Sequence, residues 1–370
     1  MTLEESVMSL PTPLSPLAIE TIGTPTLWAV TIGAVIALLV VDFIATRKPH
    51  EVSMKEAAAW SIFYVALPLA FGLYVWSQWG GTTSVDYYTG YLVEKSLSVD
   101  NLFVFMLLLS AFAVPAALQQ RVLLYGIIGA LVLRGIFIAV GAAALSAFNW
   151  VFLLFGAILL LTGAKLLKDA VKGDEEHEKD PSTMRSVKLM RRLMPVTDDY
   201  HGPKMTVRQN GRRALTPLAL VVVAVFMTDI VFAVDSVPAV YGITEDPYLV
   251  FATNAFALLG LRALYFVIQG LLTKLVHLSY GLSIILGFIG VKLVLHWAHL
   301  NWTSVPEIGN VTSLVVVVGV LAITTVTSLI ASKKREEAEL AAAAQDTEPA
   351  GPVDSPSAAE ASSGNQTAGH

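Results

Sequence analysis

The sequence predicts an all-α, polytopic membrane protein with about nine transmembrane helices and two inverted three-helix repeats. Three observations predict it. Of the 370 residues, 55% are hydrophobic and only 14% are charged, against about 25% charged in soluble domains. The apolar residues are gathered into runs of about twenty, long enough to cross ~30 Å of hydrocarbon as helix. Inside two of those runs the same acid pattern recurs: Glu94-Lys-Ser-Leu-Ser-Val-Asp100-Asn101 and Asp229-Ile-Val-Phe-Ala-Val-Asp235-Ser236-Val-Pro238. Acids at bilayer depth are costly and mark function.

Residues 1–26 carry Pro, Thr and Glu but no Lys or Arg. They predict a mobile extracytoplasmic arm, without the basic start of a cleaved signal peptide. Apolar runs follow at 27–46, 57–79, 87–112, 121–145, 150–168, 214–241, 249–271, 276–298 and 309–331. Links bearing Arg47, Lys48 and Lys55, then Arg121, the 169–213 loop, Lys274, and Lys333–Arg335 alternate with links free of Lys and Arg. Basic links stay cytoplasmic, so the N-terminus is expected outside and the C-terminus inside. Trp28, Trp76, Trp79, Trp150, Trp297 and Trp302 fall near the expected interfaces. The basic and acidic 169–213 loop reads as a cytoplasmic hinge near anionic lipid. The Ala-, Glu- and Ser-rich stretch 332–370 reads as a disordered cytoplasmic tail. There is no cysteine, which excludes disulfides, thiolate metal sites and thiol redox chemistry.

The repeat extends beyond the acids. Leu133-Arg134 matches Leu261-Arg262, and Gly163-Ala-Lys165 matches Gly290-Val-Lys292. Repeat one is 87–168 and repeat two is 214–298. Three spans per unit put the second copy in the opposite sense. Transporters of that build hold their substrate site near mid-bilayer, between the repeats.

The acids of each pair lie six residues apart. On an unbroken helix that separation turns roughly 600°, about 120° net. Both acids line one cavity only if the helix unwinds or the site is broad. Pro238 supplies a means of unwinding beside Asp235. Glu94, Asp100, Asn101, Asp229, Asp235 and Ser236 form a set of hard oxygen donors, suited to Mg²⁺, Ca²⁺ or Mn²⁺. Arg134 and Arg262 balance part of their charge. At this depth the carboxylates are either ionised around a divalent cation or protonated carriers of an antiport cycle. Asp42 is an entry-site acid or a partner for Arg47. Lys165 and Lys292, and Lys95 with them, are expected to snorkel. Asn254 and Thr253 either add oxygens or pack helices. His296 and His299, three residues apart and close to Trp297 and Trp302, either bind a metal on one face or, the favoured reading, sit at the interface.

At these residues the chain resembles the TerC family of integral membrane proteins. The resemblance runs through Val40-Val41-Asp42, the two acid motifs, Gly163-Ala164-Lys165 and Thr253-Asn254 through Leu261-Arg262, and covers roughly 27–331. It implies a LysE-like architecture and export of Mn²⁺ across the bacterial inner membrane; the family takes its name from tellurium resistance. The expected partners are the lipid bilayer and a divalent metal ion as substrate, Mn²⁺ before Ca²⁺, with protons as a coupling ion and no nucleic acid. No cofactor and no enzyme activity are expected. The alternative is a membrane scaffold in a tellurium- or metal-stress complex, in which the acids only hold helices together.

Overall fold

The computed structural model describes residues 21–45, 53–172, 192, 195–197, 199–209, 212–268, 277–302 and 304–346. In chain order the helices are α1 (Pro25–Ala45), α2 (Met54–Trp79), α3 (Gly81–Ala111), α4 (Ala116–Ala147) and α5 (Trp150–Lys172). A two-stranded antiparallel hairpin follows, β1 (Thr206–Gln209) against β2 (Arg212–Leu215). Then come α6 (Pro217–Tyr241), α7 (Pro247–Leu259), α8 (Leu261–Ile268), α9 (Leu278–Asn301) and α10 (Asn310–Asp346).

Among the described residues, eight helical segments are long and apolar enough to cross a membrane, with α7 and α8 as far as Val267 counted together as one. The ninth expected span is α3. It is a full 31-residue helix, but Asp86, Glu94, Lys95 and Asp100 interrupt its apolar character. Large apolar side chains such as Ile62, Leu161, Val231 and Val315 stay exposed on the outside of the bundle, as lipid-facing side chains do.

Several boundaries differ from expectation. The link expected at 80–86 shrinks to one residue, Gly80, whose φ of 88° joins α2 to α3. A side chain there would be strained. Residues 214–215 belong to β2, and the sixth span starts at Pro217, where a proline fits the first helical position. The seventh span breaks at Gly260 into α7 and α8. By contrast α6 runs unbroken through Pro238, so the expected unwinding beside Asp235 does not occur. The tail expected to be disordered from 332 is helical as far as Asp346. Its run of Ala, Glu, Lys and Leu is made of strong helix formers. Residues 1–20, 347–370 and most of the basic loop lie outside the described residues. The arm's last residues are fastened: Thr21 Oγ1 and the Ile22 N–H donate to Asp246 at 2.6 and 2.8 Å.

Contacts between helices set where the site lies. α3 packs on α6 and α7, and α4 packs on the same two. Three α3 side chains fasten it to α2: Ser84, Tyr87 and Tyr88 donate to the carbonyls of Gly72, Pro68 and Leu69. α5 and α9 make the most extensive contact. A Cβ on Gly156 would lie 3.0 Å from the Gly290 carbonyl oxygen, and one on Gly163 would lie 3.0 Å from the Ser283 oxygen. Positions rise on one helix as they fall on the other, so the two run antiparallel with their backbones in close approach. Small residues permit this in membrane bundles.

Gly163→Ala should therefore destabilise the protein by about 1–3 kcal/mol, the usual cost of overpacking. Gly33→Ala, where the added carbon meets nothing within 4 Å, should be near neutral. Thermal unfolding of the purified protein in detergent measures the difference.

Candidate ion site

The bundle closes over one guanidinium. Arg134 of α4 is 1% exposed. Its Nη1 donates to Glu94 Oε1 of α3 and, at 3.0 Å, to Asn254 Oδ1 of α7. Its Nη2 donates to Asp229 Oδ1 of α6 at 3.2 Å. Asn254 is aimed by its own amide, which donates to the Val250 carbonyl at 3.1 Å. Four helices thus meet on one cation. Glu94 and Asp229, from the two acid motifs, both belong to this centre.

Two oxygens of this centre have no hydrogen-bond partner, Glu94 Oε2 and Asp229 Oδ2; further along α6 from Asp229, Ser236 Oγ is likewise buried and unpartnered. Burying such groups unpaired is costly. Each is an acceptor that a cation would satisfy. Asn101 is also buried, and Ser98 Oγ approaches Glu94 Oε1 at 3.5 Å.

Asp100 and Asp235 are only half-buried, whereas Glu94 and Asp229 are fully buried. An intact helix turns acids six residues apart onto different faces, and α3 and α6 are both intact. The site is therefore broad. Asp235 lies within electrostatic reach of Arg134 and of Asp100, so the second acids border the first without joining them. Among the described residues, no group of three or more His, Asp or Glu side chains is close enough to hold a metal ion. Arg134 is the physical reason: its two nitrogens hold Glu94 and Asp229 around themselves.

The second arginine goes elsewhere. Arg262 donates from α8 to Asp42 Oδ1 of α1 at 2.7 Å and to Gln120 Oε1 of α4 at 2.9 Å. Asp42, expected as an entry-site acid or a partner for Arg47, is a counter-ion of Arg262; Arg47 lies outside the described residues. Arg262 therefore pairs outside the two motifs, while Glu94 and Asp229 share the guanidinium of Arg134.

Neither Lys95 nor Lys292 snorkels. Lys95 Nζ donates to the Ala257 carbonyl at 3.2 Å, beside the break at Gly260, where the negative end of α7 favours a cation. Lys292 is 7% exposed and donates to Asn310 Oδ1 at 2.6 Å. Lys165 of α5 is exposed. Thr253 bonds to its own helix at Val250. Gln120, Asp86, Glu245 and Glu307 were not singled out by the sequence. Gln120 gave no signal, since a lone polar residue near a span end is ordinary. Asp86 was hidden by being assigned to a loop.

The sequence profile described as "Integral membrane protein TerC family" matches residues 79–336. The chain belongs to the TerC family. Among its relatives is an uncharacterized membrane protein of Myxococcus xanthus, 42% identical over 313 residues, covering 84% of this chain and 94% of the relative. An uncharacterized membrane protein of Mycobacterium tuberculosis is 43% identical over 329 residues, covering 85% and 82%. A third relative, from Escherichia coli K12, is named "Putative membrane-bound redox modulator Alx"; it is 41% identical over 315 residues, covering 82% and 94%. No solved structure matches the chain.

Arg134→Ala should cost about 3–5 kcal/mol, because two buried carboxylates lose their counter-ion. Replacing Glu94 by Gln and Asp229 by Asn in the same chain should recover most of the loss. Thermal melts of the single and triple variants measure this.

Proposed function

We propose that this TerC protein is a secondary transporter that exports divalent cations, Mn²⁺ before Ca²⁺, across the bacterial inner membrane. One observation carries the reading: Glu94 Oε2 and Asp229 Oδ2 are buried and unpartnered beside the single guanidinium of Arg134, and Ser236 Oγ is buried and unpartnered further along α6. Carboxylate and hydroxyl oxygens suit a hard divalent cation. Asp100 and Asp235, half-buried at the border of this centre, offer the ion a first, better hydrated contact.

Arg134 is then a tethered stand-in for the cargo. With no ion present it pairs with both Glu94 and Asp229 and offsets one of their two charges. An arriving divalent ion has to displace it, which makes loading and guanidinium movement one event. Release returns the arginine to its acids and lets the site reset without leaving bare carboxylates in a low-dielectric interior. Protons are the natural coupling ion, since carboxylates bordering such a site can carry them in exchange.

Packing supports an inverted repeat. If α3, α4 and α5 exchange with α6, α7–α8 and α9, the contact of α3 with α7 becomes that of α6 with α4. The antiparallel α5–α9 pair maps onto itself. Both contacts are prominent. The alternation of basic and uncharged links favours an outer N-terminus and a cytoplasmic C-terminus. The redox name of the Alx relatives fits a chain without cysteine through ion balance rather than thiol chemistry. A scaffold reading accounts for the ion pairs but leaves the unpartnered oxygens without a purpose.

Asp100→Asn or Asp235→Asn should abolish Mn²⁺ flux in proteoliposomes while the protein stays folded by thermal melt. Full flux from both variants would overturn the reading.

A further inference from the structure

A second polar centre lies at the opposite ends of α6 and α9 from the basic loop, on the outer side in the orientation proposed above. A cavity of about 200 Å³ is lined there by Asp86, Glu245, His296, Glu307, Lys292 and Asn310, among others. His296 of α9 spans it. Its Nε2 is 3.1 Å from Glu245 Oε1, in the α6–α7 connection, and its Nδ1 is 2.8 Å from Glu307 Oε1, in the α9–α10 connection. We propose that His296 is a proton-operated latch that closes this vestibule by pinning the two connections together.

The reason is donor counting. A neutral imidazole has one N–H, and an ionised carboxylate has none. Two short contacts from both ring nitrogens to two carboxylates therefore require one proton more than neutral histidine with two ionised glutamates supplies. Whether that proton sits on the ring or on a glutamate, the bridge exists only when it is bound. On its loss, a ring-nitrogen lone pair faces a carboxylate oxygen, the contact turns repulsive, and one connection is released.

The surroundings allow such a cycle. The Glu245 and Glu307 side chains are 45% and 49% exposed, so protons reach them, while the His296 side chain is only 21% exposed. Phe152 of α5 meets the ring edge-on at a centroid distance of 4.7 Å and fixes its plane. Each neighbouring element adds its charged groups. Lys292, one turn back on α9, lies within electrostatic reach of Asp86, Glu245 and Glu307. Asp86 of α3 accepts from Asn310 of α10 at 2.6 Å. Asp246 is committed to the N-terminus of α7 through Tyr248 N–H and to Thr21. His299, further along α9, has its Nδ1 2.7 Å from the Val305 carbonyl and takes no part in the bridge. The ordinary histidine pKa of about 6.5 puts such a switch in the physiological range.

The absence of cysteine makes the test clean. Thr244 lines the cavity and is 8% exposed. In the purified full chain carrying Thr244→Cys, maleimide labelling is followed between about pH 5.5 and 8, near the histidine range, and corrected for the thiolate fraction measured on the unfolded chain. The corrected rate should rise several-fold with pH. With His296→Gln added it should be high and flat, because glutamine does not titrate. With His296→Arg added it should be low and flat, because a permanent guanidinium bridges both glutamates. The same pH dependence in all three proteins would overturn the latch. The readout needs no flux, so it can fail while export stands, and export can fail while the latch stands.

Discussion

Arg134 donates to Glu94, Asp229 and Asn254 from the middle of the bundle, and the remaining architecture has to accommodate that. Moving a guanidinium and two carboxylates out of water costs several kcal/mol per ion, which their attraction only partly offsets. Hydrophobic side chains would join four helices more cheaply. What they would not provide is a polar centre with unfilled acceptor positions. The partial satisfaction of Glu94 and Asp229, one oxygen engaged and one bare, fits a site that changes partners.

The two halves share a pattern but not a fate. Arg134 and Arg262 occupy matching places in sequence, yet Arg262 turns away to Asp42 and Gln120. That pair ties α1 and α4 to α8. It keeps Arg262 away from the central site, where Glu94 and Asp229 share the one charge of Arg134. An excess of negative charge suits a centre that receives a cation. The break at Gly260, with Lys95 against the Ala257 carbonyl, lies next to this second pair and gives the second half a joint that the first half lacks.

Much of this was legible in the sequence. The nine apolar runs became helices, eight of them long and apolar enough to cross a membrane among the described residues, because length and hydropathy are what a bilayer selects. The paired acids announced themselves by their cost. Which acid meets which arginine was not legible, since partners 95 and 220 residues apart are chosen by packing. Pro238 misled because a helix flanked by neighbours tolerates a missing N–H, whereas Gly260, an unremarked glycine, marks the real break. The hairpin had a signal that went unread: Asn210-Gly211 between two short runs is a strong hairpin signature. The helical continuation to Asp346 was masked by composition, which suits a solvated helix as well as a disordered tail.

The most direct measurement is a structure of the protein with Mn²⁺, read by anomalous scattering at the manganese edge. A manganese peak in contact with Glu94 Oε2 and Asp229 Oδ2, with Arg134 swung away from at least one of its acids, is the expected result. Manganese bound elsewhere, with Arg134 still bridging Glu94 and Asp229, would contradict the account.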